Sequence, residues 1–166
     1  MSMFQISRRA DYAVRIMIEL GLHGEEATVP VRQIARRTGV PKAFLHKITA
    51  DLVKADLVET FAGPGGGVAL GRPLNKINML QIIEAADGPI CLNICLVSPH
   101  ECPLDQICSA HTTWGRLQTI LTQELEAATL AKLVDEARQY RKMPNTNPDV
   151  PYLSLVGQPR NGSQSF

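Results

Sequence analysis

The sequence predicts a mainly α-helical chain with one small β-hairpin, and three observations carry that reading. Apolar residues recur at helical spacing in three N-terminal segments punctuated by glycine and proline. The pattern then switches to two short β-type runs around a glycine-rich turn, and a long helical stretch returns near the C-terminus. Two short helices joined by a Gly-containing turn form a helix-turn-helix, and a hairpin behind it makes a winged helix. The expected architecture is a winged helix-turn-helix domain plus a long C-terminal dimerisation helix.

Residues 7 to 23 place Ala10, Ala13, Val14, Met17, Ile18 and Leu20 on one helical face, with Ser7 suited to the N-cap and Gly24 as the stop. Pro30 opens a second helix over residues 31–38, with Ile34 and Ala35 inward and Arg32, Arg36 and Arg37 outward, and Gly39 ends it. A third helix over 41–55 carries Phe44, Leu45, Ile48, Leu52 and Val53 on its apolar side. Residues 57–61 and 68–70 read as strands around the mobile glycine-rich turn at 62–67. A further helix over 79–86 closes a winged-helix domain of residues 1–88, and residues 89–111 form a cysteine-rich loop. From 112 to 142 one long helix shows Trp114, Leu117, Ile120, Leu121 and Leu125, then Leu130, Leu133 and Val134. Such a helix has no partner in its own small domain, so it is expected to pair with its copy in a homodimer. Residues 143–166 are dominated by Pro, Asn, Gly, Ser and Gln, the composition of a disordered tail.

No apolar run approaches the roughly eighteen residues of a membrane span, and the N-terminus carries Arg8 and Arg9 where a secretory signal would be apolar. A cytoplasmic protein with no membrane partner is expected. Residues 1–72 hold ten Lys+Arg against seven Asp+Glu, while 73–166 hold seven against nine. The first part is the better match for a polyanion. No phosphate loop and no nucleophile–base constellation is present, which argues against an enzyme.

All four cysteines, Cys91, Cys95, Cys102 and Cys108, fall within eighteen residues, with His111 close behind. Core packing would scatter thiols, whereas a soft metal or an iron–sulfur centre needs several thiolates at one point. Pro99 and Pro103 interrupt the segment, as in a loop able to wrap a cofactor. A structural zinc site prefers closely spaced Cys pairs, approached only by Cys91 and Cys95. A thiol-redox enzyme would want a Cys-x2-Cys at a helix start, which is absent.

The third helix exposes Lys42, His46, Lys47 and Lys54. Residues at such a helix start, here Lys42, Ala43, Phe44, His46 and Lys47, are placed to meet base edges or phosphates in a major groove, the polar ones as donors. Gly65 and Gly66 would let the hairpin backbone approach a minor groove, and Arg8, Arg9 and Arg32 are expected phosphate contacts; a solvated basic face is the alternative for Arg8 and Arg9.

Three fragments in order resemble the Rrf2 family of bacterial winged-helix regulators over residues 4–142: Ser7-Arg8-Arg9-Ala10-Asp11-Tyr12-Ala13, Gly63-Pro64-Gly65-Gly66-Gly67-Val68-Ala69-Leu70-Gly71, and the cysteine loop running into His111-Thr112-Thr113-Trp114. The resemblance implies a homodimer on palindromic operator DNA and, in cluster-bearing members, an iron–sulfur cluster of the 4Fe-4S or 2Fe-2S type on three cysteines. Those match Cys95, Cys102 and Cys108, the first lying eight residues after Asp87. The fourth ligand implied is Asp11 of the other subunit in the nitric-oxide-sensing kind, or His111 in the assembly-regulator kind. Cys91 stands outside the three-cysteine pattern, and Cys95 and Cys102 are separated by six residues where the assembly regulators commonly have five. Ala43, His46 and Ala62 replace the Ser, Glu and Arg of that kind, implying a different operator. The expected function is a transcriptional regulator, as a repressor, controlled by its cluster. The alternative is a cluster-free or zinc-stabilised regulator acting through a protein partner or thiol oxidation.

Overall fold

The computed structural model describes residues 6–104 and 107–142, so the tail expected at 143–166 lies outside the described residues. Eight elements follow: α1 (Arg8–His23), α2 (Val31–Thr38), α3 (Lys42–Lys54), β1 (Val58–Phe61), β2 (Gly67–Leu70), α4 (Met79–Asp87), α5 (His111–Ala127) and α6 (Leu130–Lys142). The mainly helical chain with its two-stranded antiparallel hairpin has the expected winged-helix architecture.

Helix α1 is the spine. Ser7 Oγ accepts from Ala10 N at 3.1 Å, closing the first turn, and Ala10, Ala13, Ile16, Met17 and Leu20 are buried along the face that meets α2, α3, α4 and α6. Ile34, Leu45, Ile48 and Leu52 complete the helix-turn-helix core, each contributing roughly 1.5–3 kcal/mol by burial. After α3 the chain reverses through Asp56 (φ 55°): Asp56 N donates to Val53 O and Leu57 N to Leu52 O, both at 3.0 Å. These bonds satisfy the last helix carbonyls and aim the chain into β1.

The hairpin pairs Val58 with Leu70 and Phe61 with Gly67. Val29 and Val68 exchange backbone bonds of 2.8 and 2.9 Å, so β2 is also tied to the segment before α2. The turn expected to be mobile is closed by Gly66 N donating to Gly63 O at 2.9 Å. A Cβ on Gly66 would run into the Phe61 carbonyl, which leaves room for glycine alone.

Two expectations are corrected. Phe44 and Val53, read as core-facing, are exposed, because they lie at the edges of an apolar arc whose centre Leu45, Ile48 and Leu52 already fill. The continuous helix expected over 112–142 is two helices, broken at Ala128 and Thr129. Met79 N donates to Ala128 O at 2.9 Å and Leu130 N to Ile77 O at 2.7 Å, so the start of α4 captures the chain there. The second half therefore does have an intradomain partner: α6 lies on α1, with Leu130 and Val134 buried and Arg141 Nη2 donating to the buried Glu19 carboxylate at 2.7 Å.

That docking is tight at Gly21, where an added Cβ would lie 2.5 Å from Val134 Cγ2 and 2.9 Å from Leu74 Cδ2. Gly21→Ala is expected to destabilise the fold by about 1–2 kcal/mol in urea, since overpacking outweighs the better helix propensity of alanine. Combined with Val134→Ala it should cost less than the sum of the two single changes. Additive losses would place the strain elsewhere.

Candidate nucleic-acid interface and cysteine loop

Helix α3 projects because its inner stripe is committed to the core. Lys42, Ala43, Phe44, His46 and Lys47 are all exposed on its first two turns. His46 lines one cleft, of about 660 Å³ in volume, together with Thr49, Val53, Phe61 and Gly66, so the recognition-helix candidate and the hairpin tip share it. Arg9, Phe44 and Lys47 line the neighbouring flank of α3. Arg32 is exposed on α2, and Arg8 is exposed beside a groove of about 560 Å³ that Asp11, Tyr12, Met79 and Ile83 also line. Gly65 takes the left-handed backbone (φ 86°) that the tip requires.

Not every basic candidate is free to meet a phosphate. The Arg9 guanidinium donates to Asp51 on α3. Phe44 meets Tyr12 edge-on, with ring centroids 6.0 Å apart. Neither partner is evident from local spacing, because both contacts join elements far apart in sequence.

The cysteine loop hangs from α5. Gln118, which sequence reasoning missed, accepts from Leu92 N at 2.9 Å and donates to Ile90 O at 2.8 Å, clamping the stem of the loop to the helix. Its local sequence, with Arg116, Thr119, Thr122 and Gln123 close by, gives no signal of that role. Beyond the stem come two 3-10 turns, Ile94–Leu96 and Pro99–Glu101, and a final turn in which His111 N donates to Cys108 O at 3.1 Å. Cys108 and His111 are thus held at the amide end of α5, which favours negative charge.

Cys95 is buried, Cys102 and Cys108 are half-buried, and the Cys91 thiol donates to Asn93 O at 2.9 Å. Asp11 on α1 pairs with Arg15 at 2.7 Å, both side chains about half exposed. Among the described residues no three His, Cys, Asp or Glu side chains gather into a metal-sized cage. The donors suit a soft metal or iron–sulfur centre by type; Cys95, Cys102 and Cys108 share one loop without converging on one point. Among the described residues, no helix is long and apolar enough to cross a membrane.

Residues 6–136 match the Rrf2 family, described as an iron-dependent transcriptional regulator. The chain is 32% identical over 131 residues, 79% of both chains, to the HTH-type transcriptional regulator IscR of Pectobacterium atrosepticum, and 30% identical over 132 residues, 80% of this chain and 78% of the relative, to that of Vibrio vulnificus. Two solved structures are similar. CymR of B. subtilis, a global cysteine regulator, has a TM-score of 0.69 at 28% identity, covering 81% of this chain and 98% of that one. IscR of T. potens has a TM-score of 0.68 at 25% identity, covering 85% and 93%. The relatives are named as transcriptional regulators, not as enzymes.

Proposed function

Because the chain belongs to the Rrf2 family of transcriptional regulators, we propose that it is a cytoplasmic homodimer that represses from palindromic operator DNA, its affinity set by an iron–sulfur cluster on the cysteine loop. The observation that carries the cluster is the hanging of Cys95, Cys102 and Cys108 on one loop clamped by Gln118 and closed against the amide end of α5. Three thiolates of that loop would hold it, with the fourth position taken by Asp11 of the other subunit or by His111. When bound, the cluster supplies an iron centre that changes with iron, oxidant or nitric oxide supply. Asp11 belongs to the helix that packs on α3, so engaging or releasing its carboxylate biases the pose of the DNA-reading element; that is a differential contact of the kind allostery requires.

Anaerobic purification followed by visible and Mössbauer spectra tests this reading. A brown protein carrying iron and sulfide supports it, and a colourless protein overturns it. A second reading is a cluster-free or zinc-stabilised regulator working through a protein partner or thiol oxidation, and its cluster-free form is favoured by the absence of a gathered cage among the described residues and by the likeness to a cysteine regulator. Zinc analysis and thiol titration of the same preparation separate the two.

DNA contact is proposed for Lys42, Ala43, His46, Lys47, Arg8, Arg32 and the Gly65-Gly66 tip. Lys47→Ala is expected to weaken binding to operator and random DNA alike and to flatten the salt dependence by about one unit per lost phosphate contact. His46→Ala should instead reduce discrimination between the two DNAs by about 1–3 kcal/mol. Unchanged slope for the first and unchanged specificity for the second would remove α3 from the groove.

A further inference from the structure

Two contacts bind the start of α1 to α3, and neither belongs to the core or to the cysteine loop. Arg9 donates to the carboxylate of Asp51, whose side chain is only 19% exposed, and Lys54 Nζ lies 3.5 Å from the other oxygen of that carboxylate. One turn along α1, the Tyr12 ring meets Phe44 at an interplanar angle of 74°, while Arg15 stacks 5.8 Å over the same Tyr12 ring. The contacts sit near opposite ends of α3, at residues 44 and 51. Two such points, one near each end, add to the packing of Leu45, Ile48 and Leu52 a finer restraint on the rotation and slide of α3 against α1. Exposed ion pairs and half-exposed rings add little to stability, so their weight falls on geometry.

We infer that Arg9–Asp51 and Tyr12–Phe44 pin the recognition helix to α1 and so set operator discrimination: Arg9, Asp51, Tyr12 and Phe44 are positioning residues, and Arg9 is not a phosphate contact. The inference rests on the proposed reading of α3 as the helix that enters the groove. A base-reading side chain loses its partner when its helix shifts by about an ångström, whereas phosphate contacts made by long lysines follow the shift. Loss of the pin therefore lowers specific binding and spares binding to random DNA.

The test uses the full-length protein, an operator duplex selected from random sequence, and a random duplex of equal length, each titrated over a range of salt. Arg9→Gln is expected to cut the operator-to-random affinity ratio about tenfold and to leave the salt slope on random DNA unchanged. Asp51→Asn should lower the same ratio, although removing an acid strengthens binding to any DNA. The double variant should lie no lower than the worse single one, because the two changes remove one interaction. Phe44→Leu, which keeps apolar bulk without the ring, should reproduce the loss of ratio.

A slope reduced by about one unit per subunit in Arg9→Gln would make Arg9 a phosphate contact and overturn the inference. Additive losses in the double variant would overturn it too. So would an unchanged ratio accompanied only by a lower melting temperature, the signature of a merely structural pair. His46→Ala and Lys47→Ala run alongside separate the two possible failures. If they alter binding while Arg9→Gln does not, the pin fails and α3 stays in the groove; if neither alters binding, the reading of α3 fails and takes the pin with it.

Discussion

Glutamate in place of both Leu117 and Leu121 is expected to yield a folded monomer. No residue of α5 is fully buried, and Trp114, Leu117 and Ile120 are 37%, 42% and 50% exposed. With Leu92 and Leu121 they line one shallow, mostly apolar depression with a volume of about 630 Å³, which Glu124 also borders. A contiguous patch of that kind is what an interaction face looks like on a single protomer, and α6 does not cover it because α6 is spent on α1. Since the patch is largely open in the protomer, the two glutamates cost the fold little. In a seam with its copy they bury four unpaired carboxylates, at several kcal/mol each, enough to raise the dissociation constant by about a thousandfold or more. Sedimentation velocity reads the outcome. Gln123→Glu, on an exposed position outside the patch, should leave the dimer intact. A double variant that still sediments as a dimer would move the interface away from α5.

Where the chain's own chemistry punctuates it, the fold was legible. Pro30 and Gly39 bracket α2 to the residue, and Ser7 caps α1 through a bond only three residues long. The break between α5 and α6 leaves only a faint mark in the sequence: the five-residue step from Leu125 to Leu130 shifts the apolar face, with no glycine or proline there to stop the helix. What breaks the helix is tertiary: backbone bonds that Ala128 and Leu130 share with residues 77–79, far back along the chain. A weak local signal existed in Thr129, whose hydroxyl accepts from Lys132 N at 3.4 Å and so caps α6. The same limit governs the site. Exposure of Lys42, His46 and Lys47 follows from helical spacing, whereas the pairing of Arg9 with Asp51 and the burial of Glu19 against Arg141 depend on which helices meet. Composition and spacing single out the cysteine cluster; whether its thiols converge depends on loop geometry, on which a two-proline segment places few local constraints.

The other large effect concerns the thiols. Cys95→Ala, Cys102→Ala and Cys108→Ala are each expected to reduce iron and sulfide in anaerobically purified protein to background, while Cys91→Ala keeps them. Cys91 lies on the stem between Ile90 and Leu92, the two residues that Gln118 holds, and its thiol is already engaged with Asn93 O. Turning it toward the loop would break that bond and work against the clamp. The other three lie beyond the clamp, and Cys95, the only buried one, would keep its thiolate out of bulk solvent. Removing one of the three thiolate ligands leaves two thiolates and the one fourth ligand, Asp11 or His111, an incomplete set. The fourth position is resolved by the same assay: loss of cluster in Asp11→Ala but not in His111→Ala assigns it to the partner subunit's α1, and the reverse assigns it to the first turn of α5. Full occupancy in Cys102→Ala, or complete loss in Cys91→Ala, would sink this ligand set; a colourless protein in every variant, wild type included, would hand the loop to the thiol- or zinc-based reading.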